Sequence, residues 1–185
     1  IFIFIISYFM DKENIVQFRY QSNEFLKSES LRSDDFDLQF VNKQNYFDYI
    51  PDFHKLLDWI NIHLKTWKNA PTYDEIIKRF QNNSCCTLFY YKEEVIGWGW
   101  LNTNISYDFI NFNQSLDIGE MYFGGFVISK RIDKPKNSSK ICFDMMCEYF
   151  FDELQIDVLY FYTNIWNVAA LKVFENVKHY NFINE

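Results

Sequence analysis

The stretch EMYFGGFVIS (residues 120–129), followed after a short basic turn by SSKICFDMMCEYFFDEL (138–154) and IDVLYFYT (156–163), decides the fold class. The first segment is apolar and rich in aromatic and β-branched residues, as a buried strand requires, and it contains a Gly pair. In 138–154, Lys140, Asp144, Glu148 and Asp152 recur every four residues and nearly everything between them is apolar. That pattern predicts a helix lying against a sheet. The third segment reads as a strand. A helix over 167–177, with Ala170, Leu171, Phe174 and Val177 inward, and a last strand at His179–Ile183 complete the series. Alternation of strand and helix on this scale predicts an α/β domain with a mixed sheet.

Working outward, Cys85–Tyr91 and Val95–Leu101 form a hairpin around the charged turn Lys92-Glu93-Glu94. Strict alternation puts Val95, Gly97, Gly99 and Leu101 on one face and Ile96, Trp98 and Trp100 on the other. Two helices precede the hairpin. Pro51 opens the first, whose apolar face is Phe53, Leu56, Leu57, Ile60 and Leu64; Thr72-Tyr73-Asp74-Glu75 has the form of a capping box for the second. Residues 14–20 and 36–41 read as strands, and 102–118 as a polar, Asn-rich insertion. The apolar start, IFIFIISYF, is too short to cross a bilayer as a helix and lacks the flanks of a signal peptide. It reads as an extra strand, as a short membrane-associating tail or as a segment upstream of a start at Met10. Residues 1–13 are thus set apart as an extension, and 14–185 as a single domain.

Composition narrows the function. A net charge of -7, from 18 basic and 25 acidic residues, gives no positive field to gather nucleic acid. All five glycines fall between Gly97 and Gly125, which excludes a glycine-rich P-loop or a dinucleotide-binding turn. Cys85 and Cys86 would point to opposite faces of a strand, and Cys142 and Cys147 are separated by a helical rise of about 7.5 Å, beyond ordinary disulfide reach. No metal-binding spacing of Cys or His occurs, so neither a metal nor disulfides are expected, and a reducing, cytoplasmic setting is. The sequons at Asn82, Asn104, Asn113 and Asn137 carry little weight without a secretory signal.

Residues 134–140, Lys-Pro-Lys-Asn-Ser-Ser-Lys, lead from strand into helix. Free N–H groups at a helix start form an anion site, and Lys134, Lys136 and Lys140 add charge there. Asn137 tolerates a left-handed backbone and so partly replaces a glycine, and Ser138 or Ser139 can cap the helix. The plainer reading is a solvated basic turn.

Over about residues 36–183 the order of elements resembles the Gcn5-related N-acetyltransferase family. The family's N-x-x-A-x-x-x-(Y/F)-E helix is kept at Asn167, Ala170, Phe174 and Glu175, although the usual following Gly-Phe is replaced by Lys178 and His179. Its pyrophosphate loop, V-x-x-x-x-x-(R/Q)-x-x-G-x-(G/A), is matched more loosely, with Lys134 at the Arg/Gln position and Asn137 and Ser139 at the two small ones. The resemblance implies a mainly antiparallel central sheet with helices on both faces and splayed strands four and five. It also implies acetyl-CoA as cosubstrate and no metal. Cofactor contacts would come from the main chain of Phe126, Val127 and Ile128, from Lys134, Lys136, Asn137, Ser138, Ser139 and Lys140, and from Asn167, Ala170 and Phe174.

For the chemistry, the resemblance suggests Glu120 as the base, with Asp117 a weaker substitute. The family's usual acid is a Tyr where this chain has Phe174. Tyr160, Tyr162 and Tyr180 are alternatives, of which Tyr162 is the choice; an acidic leaving thiol also needs little help. Asn167 either binds pantetheine or caps its helix. Trp98, Trp100 and Tyr122 either wall the acceptor site or pack the core. The implied function is N-acetyl transfer to a primary amine of a small molecule or peptide by direct attack, without stable membrane insertion and with room for a homodimer. No Cys is expected where a thioester would lie. The missing loop glycines and Phe174 favour the rival reading, a catalytically degenerate CoA-binding or protein-interaction module.

Overall fold

The computed structural model describes residues 15–25, 34–63, 71–102, 118–129, 133–164, 167–174 and 179–183. The extension 1–13, most of the Asn-rich insertion and Glu175 lie outside them. Among the described residues seven strands form one sheet: β1 (Ile15–Gln21), β2 (Phe36–Val41), β3 (Cys85–Tyr91), β4 (Glu94–Asn102), β5 (Glu120–Ile128), β6 (Val158–Asn164) and β7 (His179–Ile183). Their order is β2-β3-β4-β5-β6-β1-β7, and every neighbouring pair is antiparallel except β5 and β6. The mixed sheet is therefore as the sequence predicts. The position of β1, inserted between β6 and β7, is not legible from the order of elements.

Helices cover both faces, giving three layers and two apolar cores. On one face lie α1 (Ile50–His63) and α2 (Tyr73–Gln81). The three- and four-residue spacing of Phe53, Leu56, Leu57 and Ile60 buries one side of α1 against Val41, Cys86, Leu88, Trp98 and Trp100 of the sheet. The predicted capping box opens α2: Thr72 Oγ1 accepts from Glu75 N–H while the Glu75 carboxylate accepts from Thr72 N–H.

On the other face α3 (Ser138–Glu148) runs into a wide π turn at Tyr149–Glu153, followed by Gln155 at φ +54°. With the short α4 (Val168–Val173) it encloses a core of Phe18, Phe89, Phe123, Phe126, Phe143, Phe150, Phe161 and Phe174. Ring pairs such as Phe161–Phe174 (4.5 Å between centroids) and Phe18–Phe161 (5.1 Å) fill it. Much of the chain's unusual Phe content is thus explained as packing between α3, α4 and the sheet.

One expectation for β4 is corrected. The β3–β4 register slips after Phe89, which faces Gly97, whereas Tyr90 faces Val95. Ile96 is the extra residue of a bulge, and the alternation reverses there. Ile96 packs in the α3-side core with Leu101, while Val95 joins Trp98 and Trp100 under α1 and α2.

Candidate functional site

The paired and unpaired parts of β5 define a cleft. β5 and β6 are joined from Glu120↔Val158 to Phe123↔Phe161. Past that point no ladder links them among the described residues, although β5 runs on to Ile128 and β6 to Asn164. On its other edge β5 stays attached to β4 but carries an extra residue: Trp100 faces Gly124 and Trp98 faces Val127. Gly125 sits in this bulge at φ +66°, and a Cβ there would stand 3.0 Å from the Trp100 ring. The positive φ favours glycine and the close ring adds to that preference, and the bulge bends β5 where it leaves β6.

Beyond the bulge, Ser129 N–H donates to Ile96 O of β4 at 2.6 Å. Main-chain groups alternate in direction along a strand, so Val127 also faces β4. The N–H and C=O of Phe126 and Ile128 then point to the opposite edge, into the gap. The side chains of Phe126, Val127 and Ile128 are all buried; Phe126 and Ile128 offer the cleft their main chain, whereas the main-chain contact expected from Val127 is turned to β4 instead.

Period two puts Glu120 and Tyr122 on one side of β5, and Tyr160 and Tyr162 on the matching side of β6. Phe123, Leu159 and Phe161 occupy the reverse side, in the α3 core. The polar groups therefore share the face that carries α1 and α2. Tyr160 Oη donates to Glu120 Oε1 at 3.1 Å and accepts from Arg19 Nε at 3.2 Å, so three adjacent strands contribute to one chain of hydrogen bonds. Tyr122 and Tyr162 are fully buried with ring centroids 5.5 Å apart. Tyr122 Oη stands 2.8 Å from where a Cβ on Gly124 would be.

Trp98 and Trp100 are both buried among Phe53 and Phe80. Trp100 nevertheless reaches the site, because its ring abuts Gly125 and carries the Arg79 guanidinium 5.0 Å from its centroid. Arg79 would lie 3.9 Å from a Cβ on Gly125. Arg79 carries a signal that the sequence does hold: it falls between Ile76 and Phe80 on the inward face of α2. Arg19 had no such signal, since its contact depends on where β1 is inserted.

The loop into α3 departs from expectation in two ways. Asn137 stands at the helix start with φ -91° and ψ 11°, not in the left-handed region, and its side chain caps nothing. Ser138 does not cap either; its hydroxyl and its N–H both turn back to Pro135 O. The proline-led turn closes on itself here, which removes the need for a glycine. Lys136 is exposed, Lys134 and Ser139 are half-buried, and Lys140 pairs with Asp144 one turn on.

Asn167 caps α4. Its Oδ1 accepts from Ala170 N–H at 3.3 Å and its Nδ2 donates to Thr163 Oγ1 at 3.2 Å. Ala170 and Phe174 are fully buried, the latter against Phe18, Phe143 and Phe161. Burial pushes the thiols of Cys142 and Cys147 well above the usual range, and Cys86 likewise. Among the described residues no cluster of His, Cys, Asp and Glu could hold a metal ion, and no helix is long and apolar enough to cross a membrane.

Neither a family model nor a curated protein matches the sequence. Solved structures do match in shape. A tandem Gcn5-related N-acetyltransferase protein from the clavulanic acid biosynthesis pathway superposes with a TM-score of 0.55 at 7% identity, over 91% of this chain and 50% of its own. An aminoglycoside N-acetyltransferase gives 0.54 at 13% identity, over 78% of this chain and 85% of its own. The C-terminal domain of a lysylphosphatidylglycerol synthetase from Agrobacterium fabrum gives 0.53 at 11% identity, over 78% and 45%. Several of these matches are to proteins of which this chain spans about half the length. The shared sheet, the helices on both faces and the parting of β5 from β6 lead to one statement: this chain has the Gcn5-related N-acetyltransferase fold.

Proposed function

We propose that the chain is an N-acetyltransferase that moves an acetyl group from acetyl-CoA to a primary amine of a small molecule or peptide by direct attack. The observation that carries this reading is the parting of β5 and β6 at Gly124, with the main chain of Phe126 and Ile128 turned into the gap. An extended amide-bearing arm such as pantetheine fits that edge, since it can pair with strand N–H and C=O groups as another strand would. Coenzyme A supplies the acyl group as a thioester, already activated toward amines.

The protein's share is placement and proton handling. Main-chain groups of Phe126 and Ile128 hold the arm, those of Val127 being turned to β4, and Lys134, Lys136, Asn137, Ser138, Ser139 and Lys140 meet its phosphates. Glu120, held by Tyr160, takes the amine proton through water. Trp100, Tyr122 and Arg79 border the acceptor side, with Trp98 packed behind. The net charge of -7 favours a cationic acceptor. The buried thiols of Cys142 and Cys147 lie within the α3 core, which supports direct transfer over an acetyl-cysteine.

The rival reading, a CoA-binding or interaction module without turnover, is favoured by the pairing of Lys140 with Asp144 and by the exposed Lys136, which leave the phosphate loop weakly built. Free-thiol release from acetyl-CoA against a panel of amines separates the two. The transferase releases thiol with at least one amine, and acetyl-CoA raises its melting temperature. A raised melting temperature without thiol release supports the module; no shift at millimolar ligand removes the cofactor from both readings.

A further inference from the structure

We infer that the outer edge of β2, with the groove beside it, docks an extended basic segment of a partner protein. The groove has a volume of about 390 Å³ and runs between β2 and the far end of α3. Asp34, Asp37, Glu148, Asp152 and Glu153 line it, and none of the described residues lining it is a Lys or Arg. Leu38, Met145 and Tyr149, all half-buried, supply the apolar part of its lining. β3 and β4 separate β2 from β5. The groove therefore lies outside the β5–β6 cleft, and the inference stands whether or not the acyl-transfer reading does.

The main chain of β2 points to a peptide. β2 ends the sheet, with β3 on one side and no strand on the other among the described residues. Lys92 N–H donates to Asp35 O at 2.8 Å, so Asp35 is turned towards β3. Alternation then turns Asp37 and Gln39 to β3 as well, and Phe36, Leu38 and Phe40 outward. Asn45 Nδ2, which donates to Phe40 O at 3.1 Å, closes the outward row at that end. Phe36 and Leu38 present the rest of it, directly at the groove. An extended chain laid there pairs with these groups as a further strand. Charge selects which chain. A second copy would set like charges against these carboxylates, which is unfavourable between neighbouring strands. The carboxylates are also not clustered to hold a metal ion. A strand with Arg or Lys at alternate positions meets both demands, its charged ends on the carboxylates and its methylene stems on Leu38 and Tyr149.

The test titrates the whole chain, without CoA, with a capped hexapeptide of alternating Arg and Val, which has no primary amine to be acetylated. Amide hydrogen exchange, read residue by residue, should slow at Phe36 and Leu38 and stay unchanged at Asp37 and Gln39, which face β3. Asp152→Asn combined with Glu153→Gln should weaken binding roughly three- to tenfold, and added salt should weaken it in the wild type. Two further peptides are N-methylated at alternate residues, one on the Arg set and one on the Val set. One of them should lose binding and the other keep it, since a single set of amides faces β2. Spermidine, which has charge but no amide, should leave Phe36 and Leu38 unprotected. No saturable binding up to about 1 mM peptide, equal binding by both methylated peptides, protection by spermidine, or an unchanged affinity in the double variant overturns the inference. So does protection of the same amides on raising the protein concentration alone, which would give the edge to a second copy.

Discussion

A carboxylate that accepts from a phenol, which in turn accepts from a guanidinium, is held in one orientation, and this is the state of Glu120 beside Tyr160 and Arg19. Glu120→Gln retains the shape and can still accept from Tyr160, but it cannot take up a proton. If Glu120 serves as base, turnover should fall about a hundredfold or more and the acidic limb of the pH–rate profile should flatten, with CoA affinity nearly unchanged. An unaltered profile removes the role. At this scale the sequence was a partial guide. Glu120 and the tyrosines could be picked out only through the resemblance, which implies a base near the start of the 120–129 strand and a proton donor close by. Arg19 could not, because its partner lies 141 residues away. Arg79 could have been noticed as a charge on an apolar helix face.

Single elements show why some features are legible and others are not. Caps are local, so the Thr72 box was readable from four consecutive residues and the structure contains it. Asn167 is also local, and the structure shows the cap, with Ala170 N–H and Thr163 Oγ1 at the two ends of its amide. Asn167→Ala loses a buried cap and a side-chain bond, which should cost about 2 kcal/mol and lower the melting temperature by roughly 4–8 °C. Thr72→Ala, at an exposed cap, should cost about half as much. If Asn167→Ala instead weakened CoA binding with little change in melting, its main work would be at the cofactor. The bulges at Ile96 and Gly125 belong to the other kind. A bulge is a relation between two strands, so alternation within β4 alone predicted the wrong face for Ile96. The turn at Pro135–Ser138 escaped for a similar reason: its closure depends on where the Ser138 hydroxyl points.

For the whole molecule, burial of three thiols has a consequence for pH. Cys86, Cys142 and Cys147 are pushed up by desolvation, whereas an unfolded thiol ionises near 8.5. Below that value both states keep the proton and stability is at its full level. Above it the unfolded chain sheds protons that the folded chain retains, so stability declines as pH rises. The melting temperature should therefore hold steady to about pH 8 and fall above about pH 9. Replacing all three by Ala should flatten that decline even as it lowers the starting value. A wild-type curve with no alkaline fall would show that these thiols do not govern it.

The insertion of β1 between β6 and β7 also sets an order of events. β1 is synthesised well before either neighbour, and its pairing with β6 spans nearly the length of the domain. Long-range pairings of this kind raise contact order and slow folding. During synthesis β1 waits without its sheet, and β6 presents an open edge until β1 returns to it. That interval is when a hydrophobic, aromatic-rich sheet is most exposed to pairing with a neighbouring copy. The strand that supplies Arg19 to the site is thus also the seam whose late closure governs how safely the chain is made.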